Sequence, residues 1–274
     1  MGAVTLLVAD LDAMTAFYRD VVTLQVVRAD GDAVALGRAG RELVVLQHSP
    51  ALRHAQPGAA GLFHTAILFE SQAALASALF SVAQHAPRTF TGSADHLVSQ
   101  AFYLTDPEGN GIELYWDRAR TDWSWTHGQV EMATLYLDPN AFLNEHLRED
   151  AAPTAADPAQ IGHVHLSVGD VATARAFYVD RLGFDATASL GDQALFVSAG
   201  GYHHHMAMNV WNSRGAGPRM PALGLGQVDL LLPDADALGE VGERLAHYGA
   251  AVRDDGQTLH FDDPWNNAIR ATVA

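Results

Sequence analysis

Two histidines and one glutamate stand out by type and spacing. His64 lies at the start of the apolar run FHTAILFE (63–70), and His163 near the start of IGHVHLSVGD (161–170). Seven residues after each histidine comes a residue able to cap a helix, Ser71 in one case and Asp170 in the other. The two histidines therefore occupy equivalent places in two copies of one unit. Glu113 sits in GIELYW (111–116) between Ile112 and Leu114. On a strand its carboxylate points away from those two apolar neighbours, toward a cleft. The chain has no cysteine, so a metal site must be built from His, Asp and Glu. Two imidazoles and one carboxylate from three strands would form a facial triad with open positions, as non-haem Fe(II) oxygen chemistry requires. A further cluster is AGGYHHHMAMNVW (199–211). Read as a strand, it turns His204 away from both His203 and His205.

The elements that must position these side chains are visible as repeats. VADLDAMTAFYRDVVTLQVV (8–27) and VGDVATARAFYVDRLGFDAT (168–187) share one skeleton: an apolar strand ending in Asp, a helix carrying Ala-Phe-Tyr, then a strand. Asp10 and Asp170 are placed to cap the two helices, and Gly183 to end the second. A second pair joins FHTAILFESQAALASALF (63–80) and TDPEGNGIELYW (105–116) to GQVDLLLPDADALGEVGERLAHYG (226–249) and DDPWNNAIRATV (262–273). Asp106 and Asp262 supply turn chemistry before the last strand of each. Four modules result, near 3–50, 61–117, 161–211 and 224–274, each a strand, a helix and about three strands. One such unit cannot bury both faces of a short sheet, whereas two together enclose a cleft. The fold expected is α+β, with four βαβββ modules paired into two half-open barrels. Residues 1–120 form the first pair and 161–274 the second. The connecting segment is 121–160, where REDAAPTAADPAQ (148–160) is Ala-, Pro- and acid-rich, as linkers are.

Composition narrows the class of function. The 274 residues are 49% hydrophobic and 18% charged, with a formal net charge of −16. That suits a packed enzyme and opposes attraction to nucleic acid or anionic lipid. No apolar stretch reaches 18 residues and the N-terminus lacks a signal-peptide pattern, so no membrane partner and a cytoplasmic location are expected. His48, His54, His85, His127, His146, His247 and His260 are read as surface or structural residues. Trp116, Trp123 and Trp125 are read as packing the connecting segment.

The repeats, with GNGIELYW and IGHVHLSVGD, resemble the vicinal oxygen chelate superfamily of glyoxalase I, bleomycin-resistance proteins and type I extradiol dioxygenases. YHHH and DHLVSQAFYLTDPEGNGIELYWDR make the chain most similar to the catechol 2,3-dioxygenase branch. The resemblance implies Fe(II), with Mn(II) left open, held by His64, Glu113 and His163. It implies an aromatic diol and O2 as substrates and a muconic semialdehyde as product. Tyr103, ten residues before Glu113, would hydrogen-bond the substrate. His204 would be the acid/base, with His205 the alternative if the register slips by one. His96 would be a further substrate-side catalytic group, and His165 would line the cleft with Phe196, Ala207 and Trp211. Module 4 departs from the pattern, with Gln227 and Arg270 where ligands would stand, and module 1 has Ala3. The site must then join modules 2 and 3, within one chain or across a homo-oligomer. The alternatives are a glyoxalase I-type isomerase or lyase, which would need a second carboxylate that MAMNVW does not offer, and a non-enzymatic small-molecule-binding resistance protein.

Overall fold

Every strand of the repeat is found in chain order in the computed structural model, which describes residues 1–148 and 157–274. Module 1 comprises β1 (Val4–Val8), α1 (Leu11–Asp20), β2 (Gln25–Asp30), β3 (Ala33–Arg38) and β4 (Arg41–His48). Module 2 comprises β5 (Gly61–Phe69), α2 (Gln72–His85), β6 (Phe90–Asp95), β7 (Ser99–Thr105) and β8 (Gly111–Asp117). After β9 (Trp125–Thr126), β10 (Gln129–Val130) and α3 (Pro139–His146), module 3 follows. It holds β11 (Ala159–Ser167), α4 (Val171–Arg175), β12 (Asp185–Leu190), β13 (Ala194–Ser198) and β14 (Met206–Asn209). Module 4 holds β15 (Gly224–Leu232), α5 (Ala235–His247), β16 (Val252–Asp254), β17 (Thr258–Asp262) and β18 (Ala268–Val273). The α+β class and the four βαβββ modules are as the repeats imply.

The helices begin where the sequence places their caps. The side chains of Asp10, Ser71, Asp170 and Asp234 accept from the backbone N–H three residues on, satisfying a donor that each helix start leaves orphaned. α4 changes to a π-helical turn at Ala176–Arg181. Gly183 ends it with φ +86°, and a Cβ there would meet the Arg244 guanidinium at 2.9 Å.

The chain forms two compact units: Met1–Leu7, Leu52–Phe63 and His163–Ala274 in one, Val8–Ala51 and His64–Gly162 in the other. In the second unit β2, β3 and β4 pair as an antiparallel meander. There β5 runs parallel to β8, and β8, β7 and β6 are antiparallel neighbours. In the first unit β11 runs parallel to β14 and β15 parallel to β18, each followed outward by two antiparallel strands. The parallel pairing of a module's first and last strands needs the crossover that its helix provides.

The Ala-Phe-Tyr repeat has a use that the sequence reading did not assign. Tyr18 on α1 donates its hydroxyl to Asp106 Oδ2 (3.1 Å), and Tyr178 donates to Asp263 Oδ2 (2.9 Å). Each carboxylate also organises its own turn. Asp106 accepts from the backbone of Glu108 and Asn110 and from the Asn110 side chain. Asp263 does the same with Trp265 and Asn267. The turn former of module 4 is therefore Asp263 and not Asp262, because the Asp-Pro step that starts the turn is Asp263-Pro264. Burial raises the affinity of both carboxyls for protons and pushes both tyrosine hydroxyls well above their ordinary value, so the tyrosines remain donors.

The segment expected only to connect the halves is in part folded. His127 and Gly128, both at positive φ, close the β9–β10 hairpin. α3 is capped by Asp138 and packs Phe142 against Phe102, rings 4.9 Å apart. Trp123 is buried, but Trp125 is 42% exposed and packs nothing comparable, against the expectation. The linker reading of 148–160 lies largely outside the described residues. Of the histidines read as surface or structural, none is buried. No helix among the described residues is long and apolar enough to cross a membrane.

Removing the hydroxyl in Tyr18→Phe or Tyr178→Phe should lower unfolding free energy by about 1–3 kcal/mol, because a buried carboxylate loses a donor. Urea melts should show a lower midpoint with an unchanged slope.

Candidate metal centre

In the Val8–Ala51/His64–Gly162 unit the candidate side chains are set by strand register. Ala66 on β5 pairs with Glu113 on β8, and Glu113 pairs in turn with Tyr103 on β7. His64, two residues before Ala66, points to the same face as Ala66. Its Nε2 lies 2.9 Å from Glu113 Oε2, and both side chains are buried. Two ligand atoms at about 2.1 Å from one ion and at right angles to each other are about 3 Å apart. The pair therefore has the spacing of two neighbouring corners of a coordination sphere. Ala66, Ala101 and Tyr115 form the packed layer beside it, with Leu68 and Tyr103 against them. Gly162 packs against the tip of Tyr115, where a Cβ would fall 1.6 Å from the hydroxyl oxygen. No other residue type fits immediately before His163.

Tyr103 and His96 are brought together, although their spacing in the sequence is unusual for the resembling family. The His96 Nε2 and Tyr103 hydroxyl are 2.6 Å apart, and His96 Nδ1 is 2.7 Å from the Ala133 carbonyl. A carbonyl only accepts, so Nδ1 carries a proton, and the Tyr103 hydroxyl lies between His96 Nε2 and the Glu113 carboxylate, which it also hydrogen-bonds. Burial, then the Glu113 charge and the hydrogen bond to Glu113, hold the Tyr103 hydroxyl well above its ordinary value, so it stays a donor. The residue that fixes His96 comes from the supposed connector, and Leu135 in the same stretch pairs with Asp95. Sequence reasoning missed this support, since nothing in GQVEMATLYLD marks it as a partner.

The Met1–Leu7/Leu52–Phe63/His163–Ala274 unit carries a cluster of imidazoles and aromatic rings. His163 and His165 lie on β11, where His165 pairs with Ala207 on β14 and Ala207 pairs with Phe196 on β13. The His204 ring lies 4.2 Å from that of His163 and 5.1 Å from Phe196. His165 lies 5.9 Å from Phe196, 5.5 Å from Trp211 and 4.9 Å from Phe63. The alternation expected for the three histidines does not occur. β14 starts only at Met206, and the chain bends at His203 and His205. Freed from strand geometry, His203 turns toward His204, their Nδ1 atoms 2.8 Å apart, and both are buried. His205 leans on Tyr202 instead, and its Nδ1 accepts from the Ala199 N–H at 3.3 Å. The reading also missed Phe63, His203 and Asn209. Asn209 was findable, because it stands on one face of β14 with Ala207.

Module 4 shows what the same register becomes without ligands. Asp229 pairs with Arg270 and His260 pairs with Arg270 from the other side, so these replace Ala66, Glu113 and Tyr103. Gln227, at the place of His64, donates to Asp229 Oδ1 (2.7 Å), and Arg270 forms an ion pair with Asp229 Oδ2. A guanidinium there holds a carboxylate that would otherwise need a cation. In module 3 the place of Glu113 is taken by Ala207, so that module offers no carboxylate there. Among the described residues, His64, Glu113 and His163 are each buried and each carries an atom able to bind a metal ion.

Comparison with known proteins agrees with this architecture. Residues 1–114 and 160–270 match the model of the Glyoxalase/Bleomycin resistance protein/Dioxygenase superfamily. A curated relative from Bacillus subtilis (strain 168), catechol-2,3-dioxygenase, is 36% identical over 273 residues, covering 98% of this chain and 95% of its own. A crystal structure from Bacillus subtilis subsp. subtilis str. 168 matches with TM-score 0.67 at 15% identity, over 100% of this chain and 85% of that one. A glyoxalase I variant from Zea mays matches with TM-score 0.60 at 13% identity, over 100% and 93%. These two structures share the fold. The repeats, the family match and the long alignment to its relative lead to one conclusion: the chain belongs to the Glyoxalase/Bleomycin resistance protein/Dioxygenase superfamily.

Proposed function

We propose that the protein is an iron-dependent extradiol dioxygenase that opens the ring of a catechol-type diol with O2 and yields a muconic semialdehyde. The observation that carries this reading is the buried His64–Glu113 pair at 2.9 Å, at ligand spacing, with Tyr103 directly opposite Glu113. In this reading His163 completes the ligand set. Two histidines and one carboxylate suit Fe(II) or Mn(II), and three protein ligands leave positions for a chelating diol and for O2. The 36% identical relative named catechol-2,3-dioxygenase supports the substrate class.

The bound metal would supply the oxygen chemistry; the side chains would manage substrate and protons. Tyr103, kept protonated, donates to a substrate oxygen or shares its proton with His96 Nε2. His96 cannot swing away, because its other nitrogen is tied to Ala133. His204 moves a proton at Nε2 or Nδ1, a task that suits an imidazole near neutral pH. His203 and Phe196 hold its ring in place. Phe196, Ala207 and Trp211 offer the apolar wall for an aromatic ring, and His165 the polar group within it. His205, facing Tyr202 and Ala199, has no part in proton transfer. A glyoxalase I-type reaction would need a fourth ligand, and the register position for a second carboxylate holds Ala207.

Anaerobic loading with Fe(II), then catechol and air, should give the yellow ring-cleavage chromophore. A loaded protein that forms none with several substituted catechols overturns the reading. Glu113→Ala should drop bound iron from about one per chain toward zero. His204→Ala should keep its iron and lose turnover by about 10²–10⁴-fold. Tyr103→Phe and His96→Ala should not be additive in kcat/KM: the double variant should lose little more than the worse single one, since His96 acts through Tyr103. Steady-state kinetics of the four proteins measures the coupling.

A further inference from the structure

Asn209 is the last residue of β14 and is completely buried. Its side chain has two partners. The Trp211 backbone N–H donates to Oδ1 at 3.1 Å, and Nδ2 lies 3.0 Å from His165 Nε2. The first contact fixes the amide, because the flipped orientation would set two donors against each other at Trp211. Nδ2 is therefore the group facing His165, and it has only protons to offer. His165 Nε2 must then accept, which leaves the ring proton on Nδ1. The same amide holds the turn that lays Trp211 against His165 and Phe63, rings 5.5 and 5.4 Å away.

We infer that Asn209 is a positioning residue: it fixes His165 as an Nδ1–H donor among the aromatic rings proposed to receive the substrate. This deepens the dioxygenase reading and rests on it for the identity of the substrate. The His165 ring lies against Phe63 and against Phe196 and Trp211, the wall proposed for the aromatic ring of the substrate. Any substrate group that meets Nδ1 must be an acceptor, so His165 serves the substrate as a hydrogen-bond donor and never as a base.

The decisive measurement is the imidazole ¹⁵N spectrum of the full chain prepared without iron, with the His165 signal identified by its loss in His165→Gln. Long-range couplings report which nitrogen carries the proton. The expected result is an Nδ1-protonated ring in the native protein and a proton moved to Nε2 in Asn209→Asp, whose carboxylate can only accept. A native His165 protonated on Nε2, or an Asn209→Asp spectrum without change, overturns the inference. Should the variants fail to fold, the signal that follows the native tautomer still decides it, located by selective labelling of the histidines. In activity, Asn209→Leu should lower kcat/KM about 3- to 10-fold, the loss of one hydrogen bond, with KM moving more than kcat. A wholly inactive native enzyme with the expected tautomer would sink the dioxygenase reading and leave the role of Asn209 standing.

Discussion

A buried carboxylate against a buried imidazole is the contact on which the candidate centre depends. Glu113 could be placed there only because β5 and β8 run parallel and in one register, which sets Ala66 beside it and His64 one pleat away. A parallel neighbour cannot be reached by a hairpin, so α2 must intervene, and its alanine-rich buried face lets it lie close over the strands. Burying the carboxylate is costly without compensating charge and donors. The imidazole alone supplies charge only when protonated, whereas a divalent ion between the two would satisfy both at the spacing observed.

The same scaffold is used again with different occupants, and this separates what folds the chain from what equips it. The turn carboxylates Asp106 and Asp263, each held by a tyrosine from the helix of another module, are nearly superimposable in their partners. They serve architecture in both halves. At the register place of Glu113 stand Ala207 and Arg270, and at the place of Tyr103 stand Phe196 and His260. The substitutions are mutually consistent. Where Arg270 replaces a carboxylate, Asp229 replaces the small Ala66 and the pair neutralises itself. Where Ala207 removes the carboxylate, the facing positions become aromatic and the strand surface turns into a wall.

Much of this was legible in the sequence. Helix caps, the strand order within each module and the histidine pair at equivalent places follow from local chemistry that repeats, and repetition is itself a signal. The part that was not legible depends on contacts between distant segments or on where a strand begins. His203–His205 read as strand because apolar residues follow them, yet the two glycines before Tyr202 and the bends at His203 and His205 delay β14 until Met206. Asp262 was chosen over Asp263 because both precede a turn, and only the side-chain contacts tell which one is inside it. Ala133, which holds His96 by its carbonyl, has no side-chain signature that a sequence could show.

The delayed start of β14 has a chemical consequence. A histidine locked in the strand would share the fixed orientation of Ala207 and Asn209. His204 sits just before the strand, buried but outside the ladder, with His203 on one side and Phe196 on the other. A group that shuttles a proton needs a defined resting place and some freedom to turn about χ1 and χ2. In the proposed reading the ligands His64 and His163, by contrast, would gain from strand rigidity, since an ion tolerates little error in distance. On the proposed roles, strand-borne ligands and a bend-borne acid/base would match the two kinds of work, one needing fixed distances and the other a side chain outside the ladder.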